Sequence, residues 1–351
     1  MKNILIIDDS ALMRRVLSDT VNSDDQLNVT GIAKDGLEAL ELLKTNTYDC
    51  ILLDINMPNM NGIEFLEFLK RTRKKEKVLV VSTDTVEGAD VTIRALELGA
   101  IDFIKKPNTA YEVNKAKYRA ELINRIHAIV DGEDKRLSEE TKASTDLKSI
   151  TRFNGKVIRN GRKIVVIASS TGGPAVLRQV IPGISEKINA PIVIVQHMPK
   201  GFTKSFADRL DNISSIPVQE AKENYIDVGK VYVAQGGRHL KYKQHGNMGM
   251  FVYSDEPTRE GVRPSANYMY ESLIDSDFEE IICLVLTGMG QDGYEGIRQL
   301  SEKKKCKILI QSPKTCTVYG MPRAIERAGL ADEILDIDKI AARINELVGL
   351  R

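Results

Sequence analysis

Several stretches of the sequence set reactive side chains directly after runs of apolar, β-forming residues. IVVIASSTGGP (164–174) ends in Ser169 and Ser170 on a glycine turn, PIVIVQHMP (191–199) ends in His197, and LVLTGMGQDG (284–293) leads to Asp292. A hydroxyl, an imidazole and a carboxylate are the parts of a nucleophile, a base and an acid that orients the base. A second set lies nearer the N-terminus. IIDDS (6–10) supplies Asp8 and Asp9, LLDINMPNMNG (52–62) supplies Asp54, VLVVS (78–82) ends in Ser82, and FIKKP (103–107) carries Lys106. Three carboxylates crowded together repel one another unless a cation lies among them, and hard oxygen ligands suit Mg²⁺. A metal, an amine and a hydroxyl around one free carboxylate make a phosphoryl acceptor site.

Both sets need the same scaffold. Apolar runs alternate with amphipathic stretches throughout, which predicts βα units stacked into parallel sheets. The first series of strands is Ile4–Ile7, Val29–Ala33, Ile51–Leu53, Val78–Val81 and Phe103–Ile104. The second is Ile164–Ile167, Ile192–Val195, Val231–Val233, Ile281–Leu286 and Ile308–Ile310. In open parallel sheets ligands bind outside the carboxyl ends of the strands, where every residue named above falls. Between the two series, DGEDKRLSEETKASTDLKSITRFNGKVIRNG (131–161) is charged and lacks apolar periodicity, as expected of a linker that is helical only at its start. The chain shows no internal repeat.

Composition narrows the function. With 351 residues, 42% of them hydrophobic, the chain can fill two cores. Its 50 basic and 49 acidic residues leave a net charge of +1, which offers no field for nucleic acid or an anionic membrane. The basic runs RTRKKEK (71–77) and EKKKCK (302–307) read as solvated ends of exposed helices. Cys50, Cys283, Cys306 and Cys316 form no CxxC pair and fit reduced core thiols better than a metal site. The opening MKNILIIDDS lacks the long apolar core of a signal peptide, and no apolar run approaches the roughly 20 residues of a membrane span. The expectation is a soluble, cytoplasmic protein without membrane insertion.

Taken singly, the same residues have plainer readings. Asp8 and Asp9 could cap a helix, Asp54 could open the turn before Pro58, and the 169–174 turn could cradle a phosphate or cap the helix that Pro174 begins. Of the four histidines only His197 stands at a strand end. His127 lies in a helical stretch, and His239 and His245 flank polar β segments and read as surface residues. The order Ser, His, Asp and the missing GxSxG elbow exclude an ordinary α/β-hydrolase esterase. A non-catalytic output, such as a nucleotide- or nucleic-acid-binding module, is the competing class. Against it, a DNA reader would normally be a compact helical domain with a clustered basic face.

IIDDS, LLDINMPNMNG and FIKKP resemble the response-regulator receiver family, over residues 1–123. SSTGGP, QHMPKGFTKSFADRL, RPSANYMYESL, TGMGQDG and VYGMPRAI resemble the chemotaxis protein-glutamate methylesterases, over residues 161–351, which leaves 124–160 as linker. The resemblance implies two doubly wound, mainly parallel α/β domains, a flavodoxin-like receiver and a Rossmann-like methylesterase domain. It implies that Asp54 is phosphorylated, that Asp8, Asp9, Asp54 and the Asn56 carbonyl hold Mg²⁺, and that Ser82, Phe103 and Lys106 form the switch. The Lys106–Pro107 bond is cis in that family.

In the second domain the resemblance makes Ser170 the nucleophile, His197 the base and Asp292 its orienting partner, with backbone N–H groups of Met289 and Thr171 holding the oxyanion. No cofactor is implied for the ester chemistry. Methyl-accepting chemoreceptors would be the substrate, a chemotaxis histidine kinase the phosphodonor, and deamidation of receptor glutamines a second activity. The sequence departs from the family pattern in IASSTGG, where a glycine and an alanine are common before the catalytic serine, and at Gln291, where asparagine is frequent.

Overall fold

The structure, a computed structural model, describes residues 1–74, 76–82, 86–106, 116–131, 162–246 and 248–349. The chain divides into two units, Met1–Glu140 and Thr141–Arg351. Among the described residues no helix is long and apolar enough to cross a membrane.

In the first unit β1 (Lys2–Ile7), β2 (Leu27–Ala33), β3 (Cys50–Asp54), β4 (Val78–Ser82) and β5 (Asp102–Lys105) form one parallel sheet in the order β2-β1-β3-β4-β5. Between them run α1 (Ala11–Val21), α2 (Gly36–Thr45), α3 (Gly62–Thr72) and α4 (Val86–Leu98), followed by α5 (Ala116–Asp131). The helices begin where short polar side chains satisfy free backbone donors. Ser10 accepts from Met13 N–H, Asp35 from Glu38 N–H, and Asn61 forms a reciprocal capping box with Glu64. Strand order reverses between β1 and β3, so the crevice opens where Asp8, Asp9 and Asp54 stand.

One boundary differs from the sequence expectation. Helix α5 runs to Asp131, and Leu122, Ile126, Ile129 and Val130 are buried in the core of the first unit together with Ile4, Leu52 and Leu79. Residues 124–131 therefore belong to the receiver rather than to the linker, because their apolar positions recur at helical spacing and meet the sheet.

The second unit is a seven-stranded parallel sheet ordered β14-β13-β12-β6-β7-β9-β8. Its strands are β6 (Lys163–Ser169), β7 (Ile192–Gln196), β8 (Val218–Glu220), β9 (Val231–Val233), β12 (Glu280–Val285), β13 (Lys305–Gln311) and β14 (Glu333–Leu335). The helices are α6 (Gly173–Val180), α7 (Phe202–Asp211), α8 (Ala266–Ser272), α9 (Tyr294–Lys303), α10 (Met321–Arg327) and α11 (Ile337–Leu347). An antiparallel hairpin, β10 (His239–His245) with β11 (Met248–Ser254), stands apart as a two-stranded sheet. The core is built of Val166, Val193, Tyr270, Cys283, Ile297 and Ile310 with their neighbours, all buried.

Two sequence expectations are corrected here. His239 is fully buried, not a surface residue, although the charged residues around it suggested otherwise. EKKKCK is not simply a helix end. Helix α9 stops at Lys303, and Lys305 and Lys307 enter strand β13, where they pair with Glu280 at 3.0 Å and Glu333 at 2.8 Å. His127 is on α5 as expected and bonds Asp24 at 3.1 Å, and His245 is exposed. Cys50, Cys283 and Cys316 are buried free thiols, with Cys306 half-buried.

Candidate functional site

Strand β6 is the centre of the second sheet, with β12 on one side and β7 on the other, so the loops after these three strands share one crevice. The two serines after β6 have different surroundings. Ser169 is fully buried and its hydroxyl donates to Gln196 Oε1 at 2.7 Å, whereas Ser170 is half-buried and its hydroxyl has no partner among the described residues. Gln196 in turn donates from Nε2 to the carbonyls of Ser170 at 3.0 Å and His197 at 3.2 Å, and His197 N–H donates to Ser169 O at 3.0 Å. Sequence reasoning missed Gln196, which ties the serine turn to the histidine loop. A Cβ on Gly173 would lie 2.1 Å from Gln196 Oε1, so only glycine lets the turn approach this amide.

His197 Nε2 lies 2.8 Å from Asp292 Oδ2. Asp292 is buried and accepts three further hydrogen bonds, from Ser265 Oγ at 2.6 Å and from the N–H groups of Ala266 at 2.6 Å and Asn267 at 3.2 Å. Burial alone would raise its pKa, but the His197 contact and these donors outweigh it and hold the carboxyl below its usual value. An ionised Asp292 requires His197 to donate from Nε2, which leaves the lone pair on Nδ1. That Nδ1 is buried and has no partner among the described residues. The ring is thus turned end for end relative to chymotrypsin, where Nδ1 faces the acid.

The loop after β12 completes the crevice. A Cβ on Gly288 would stand 2.8 Å from Ser170 Cβ, so this glycine lets Met289 follow directly beside the serine. Gly288 O accepts from Gly320 and Met321 N–H, which pins the loop, while no described residue accepts from Met289 N–H. Thr287 Oγ1 donates to Thr171 O at 2.9 Å and accepts from Val318 N–H at 2.9 Å, joining the serine turn to the VYGMP segment. Gln291 is exposed and its carbonyl accepts from Tyr294 N–H at 3.0 Å. Among the described residues the Ser170 hydroxyl, His197 Nδ1 and the Met289 amide are unpaired, all just beyond neighbouring strands of one sheet, and such groups are equipped for acyl transfer. Removing the clamp tests its role. Gln196→Leu strands the Ser169 hydroxyl and two carbonyls, and is expected to slow ester hydrolysis by roughly tenfold and to lower stability by about 1–3 kcal/mol, read from kcat and a denaturant midpoint.

In the first unit the carboxylate oxygens of Asp8, Asp9 and Asp54 lie within 4.8 Å of one another, a group able to hold a cation. Lys106 Nζ sits 2.8 Å from both Asp8 Oδ2 and Asp54 Oδ2. Burial pushes the Asp54 carboxyl up; Lys106 pulls it back and Asp8 pushes with burial. Lys106 is held above the ordinary lysine value because its two carboxylates outweigh its own burial. Ser82 is buried and hydrogen-bonded to the Thr92 hydroxyl on α4, a partner that sequence reasoning did not find, and Phe103 is buried on β5. Asn56 lies exposed just beyond β3. Pro107, and with it the expected cis bond, lies outside the described residues.

Comparisons with known proteins bear on both units. Residues 4–117 match the model of the response regulator receiver domain, and residues 165–344 that of the CheB methylesterase. A protein-glutamate methylesterase/protein-glutamine glutaminase of Bacillus subtilis is 36% identical, covering 99% of each chain. Its namesake in Thermotoga maritima is 38% identical, covering 98% of each. The crystal structure of the Thermotoga maritima CheB methylesterase catalytic domain superposes with a TM-score of 0.52 at 38% identity, over 54% of this chain and all of that one. Receiver and esterase thus occur together over nearly the whole length, and the chain belongs to the CheB methylesterase family of chemotaxis response regulators.

Proposed function

We propose that this protein hydrolyses glutamyl γ-methyl esters on chemoreceptors with Ser170, His197 and Asp292, and that phosphorylation of Asp54 controls the rate. The observation that carries the reading is the 2.8 Å contact of His197 with a buried, multiply bonded Asp292 beside an unpaired Ser170 hydroxyl. His197 Nδ1 takes the Ser170 proton as Oγ attacks the ester carbon. The N–H groups of Met289 and Thr171 receive the oxyanion. Collapse breaks the bond to the methoxy oxygen, which leaves as methanol with the proton from His197. Water, deprotonated by His197, then attacks the acyl-enzyme and releases glutamate and the free serine. The same attack on a glutamine amide expels ammonia, which gives the deamidase activity.

The receiver fits a divalent cation, since its three clustered carboxylates carry more negative charge than Lys106 alone offsets. Asp8, Asp9 and Asp54, with the Asn56 carbonyl, would hold Mg²⁺, which supplies charge neutralisation for the incoming phosphoryl group. A chemotaxis histidine kinase is the proposed donor in the cytoplasm. The acyl phosphate on Asp54 carries about 1.5 to 2 negative charges in place of the carboxylate's single one, a gain that Lys106 and Ser82 answer, with Phe103 following.

The unphosphorylated receiver is proposed to restrain the esterase unit. Methanol release from methylated receptor membranes tests both halves. A fragment beginning near Asn160 should be faster than the unphosphorylated full chain, and a small phosphodonor should stimulate only the full chain. Each tenfold gain corresponds to about 1.4 kcal/mol of lost restraint. A fragment no faster than the unphosphorylated full chain rules out inhibition by the receiver.

A further inference from the structure

Beyond the three residues of the proposed site, a second histidine is wired into it. His239, the first residue of β10, is fully buried, and both of its ring nitrogens are engaged. Nδ1 lies 3.1 Å from the Ser265 N–H and Nε2 lies 3.1 Å from the Pro257 carbonyl. A backbone N–H can only donate and a carbonyl can only accept, so the ring is neutral with its proton on Nε2. The Ser265 hydroxyl then donates to Asp292 Oδ1, and the next two backbone N–H groups donate to the same carboxylate. Asp292 holds His197.

We infer that His239 is a positioning residue for the hydrolytic site. By fixing the Ser265 backbone, it aims three donors at Asp292 and thereby sets the orientation of His197. The inference rests on the triad reading and extends it to a residue that touches neither substrate nor reacting atoms. Its acceptor role makes it sensitive to acid, because a proton on Nδ1 would set two N–H groups against each other. Around the ring stand Glu256 and Arg263 from the 255–265 loop, and Tyr268 from α8 at 4.5 Å between ring centroids. Lys241 and Arg259 lie against the Tyr268 ring at 4.8 and 5.5 Å, and Lys241 also pairs with Glu256. Burial lowers the His239 pKa, Arg263 adds to this, and the Pro257 carbonyl and Glu256 oppose it. The neutral ring, and the stability it contributes, is therefore complete above the ordinary histidine value and is lost as pH falls below it.

The test uses the full-length protein on methylated receptor membranes, with kcat and KM measured across the acid range. The wild-type profile should steepen from a one-proton to a two-proton fall in acid, since His197 and His239 must both be neutral. His239→Asn keeps an acceptor near the Nδ1 position but cannot titrate. It should stay within about threefold of wild type at alkaline pH and show a one-proton limb. His239→Ala should lose about tenfold in kcat with little change in KM. A two-proton limb retained in His239→Asn, an asparagine variant as slow as the alanine one, or an alanine variant as fast as wild type would each overturn the inference. If the variants fail to fold, ¹⁵N spectra of wild-type imidazoles decide, since a His239 proton on Nδ1 contradicts the role and one on Nε2 supports it. Ser170→Ala is assayed alongside: activity surviving there sinks the triad reading itself, whereas activity lost there with an unchanged His239→Asn limb sinks only this inference.

Discussion

Ser170→Ala is expected to lose about 10⁴- to 10⁶-fold in methanol release, the range found when a triad nucleophile is removed, while Ser169→Ala keeps most of the wild-type rate. The two hydroxyls are adjacent in sequence and opposite in circumstance. Ser169 is spent on Gln196 in the interior, whereas Ser170 is half-buried and its hydroxyl has no partner among the described residues. His197→Ala should be nearly as damaging, since no other described imidazole lies against Asp292. Rates measured with receptor membranes, together with circular dichroism to show that each variant is folded, check all three. An inactive Ser169→Ala beside an active Ser170→Ala would reverse the assignment.

Asp54→Asn is expected to abolish both labelling by acetyl phosphate with Mg²⁺ and stimulation of the full chain, leaving basal hydrolysis in place. Chelating Mg²⁺ should have the same effect on labelling, because Lys106 alone cannot offset three carboxylates and an incoming phosphoryl group. The loss would not come from unfolding. Burial raises the Asp54 pKa above its ordinary 3.8, so the native state holds that proton more tightly than the unfolded chain does. Its contribution to stability is present at low pH and is lost as pH rises through the folded value. A neutral amide removes that penalty, and the melting temperature of Asp54→Asn at neutral pH should equal or exceed that of wild type. Label retained in Asp54→Asn would mean that another residue accepts the phosphate.

Much of this was legible in the sequence because buried parallel strands read as unbroken apolar runs, and all ten of the strands named from it are present. Residues after such strands fall into a crevice by topology, which brings out His197, Asp292, Asp8, Asp9 and Asp54 together with both Ser169 and Ser170; the choice of Ser170 between the two serines rests on the family resemblance. The short strands β8 (VQE) and β14 (EIL) hold too few apolar residues to stand out, unlike the equally short VYV of β9, and β10 alternates polar with apolar residues as a partly exposed hairpin strand does. The supporting polar groups were hidden for a different reason. Ser265 meets Asp292, and His239 meets Ser265, across long intervals of chain, so no local pattern marks them. His239 sits next to Arg238 and close to Lys241, a polar neighbourhood that disguises a residue with no exposed surface.

The position of β6 has a consequence for synthesis. The strand that ends at the serine turn is the first of its sheet to leave the ribosome, yet one of its two neighbours, β12, is among the last, with Ala168 paired to Val285. Until β12 emerges, one edge of this buried, apolar strand has no partner, a template for wrong pairing that a chaperone would have to shield. On the proposed roles of Ser170, His197 and Asp292, the order of emergence is also expected to keep the nascent protein inert. Ser170 and His197 are translated well before Asp292, which holds the imidazole, so a chain stalled short of Asp292 is expected to carry a serine without hydrolytic activity.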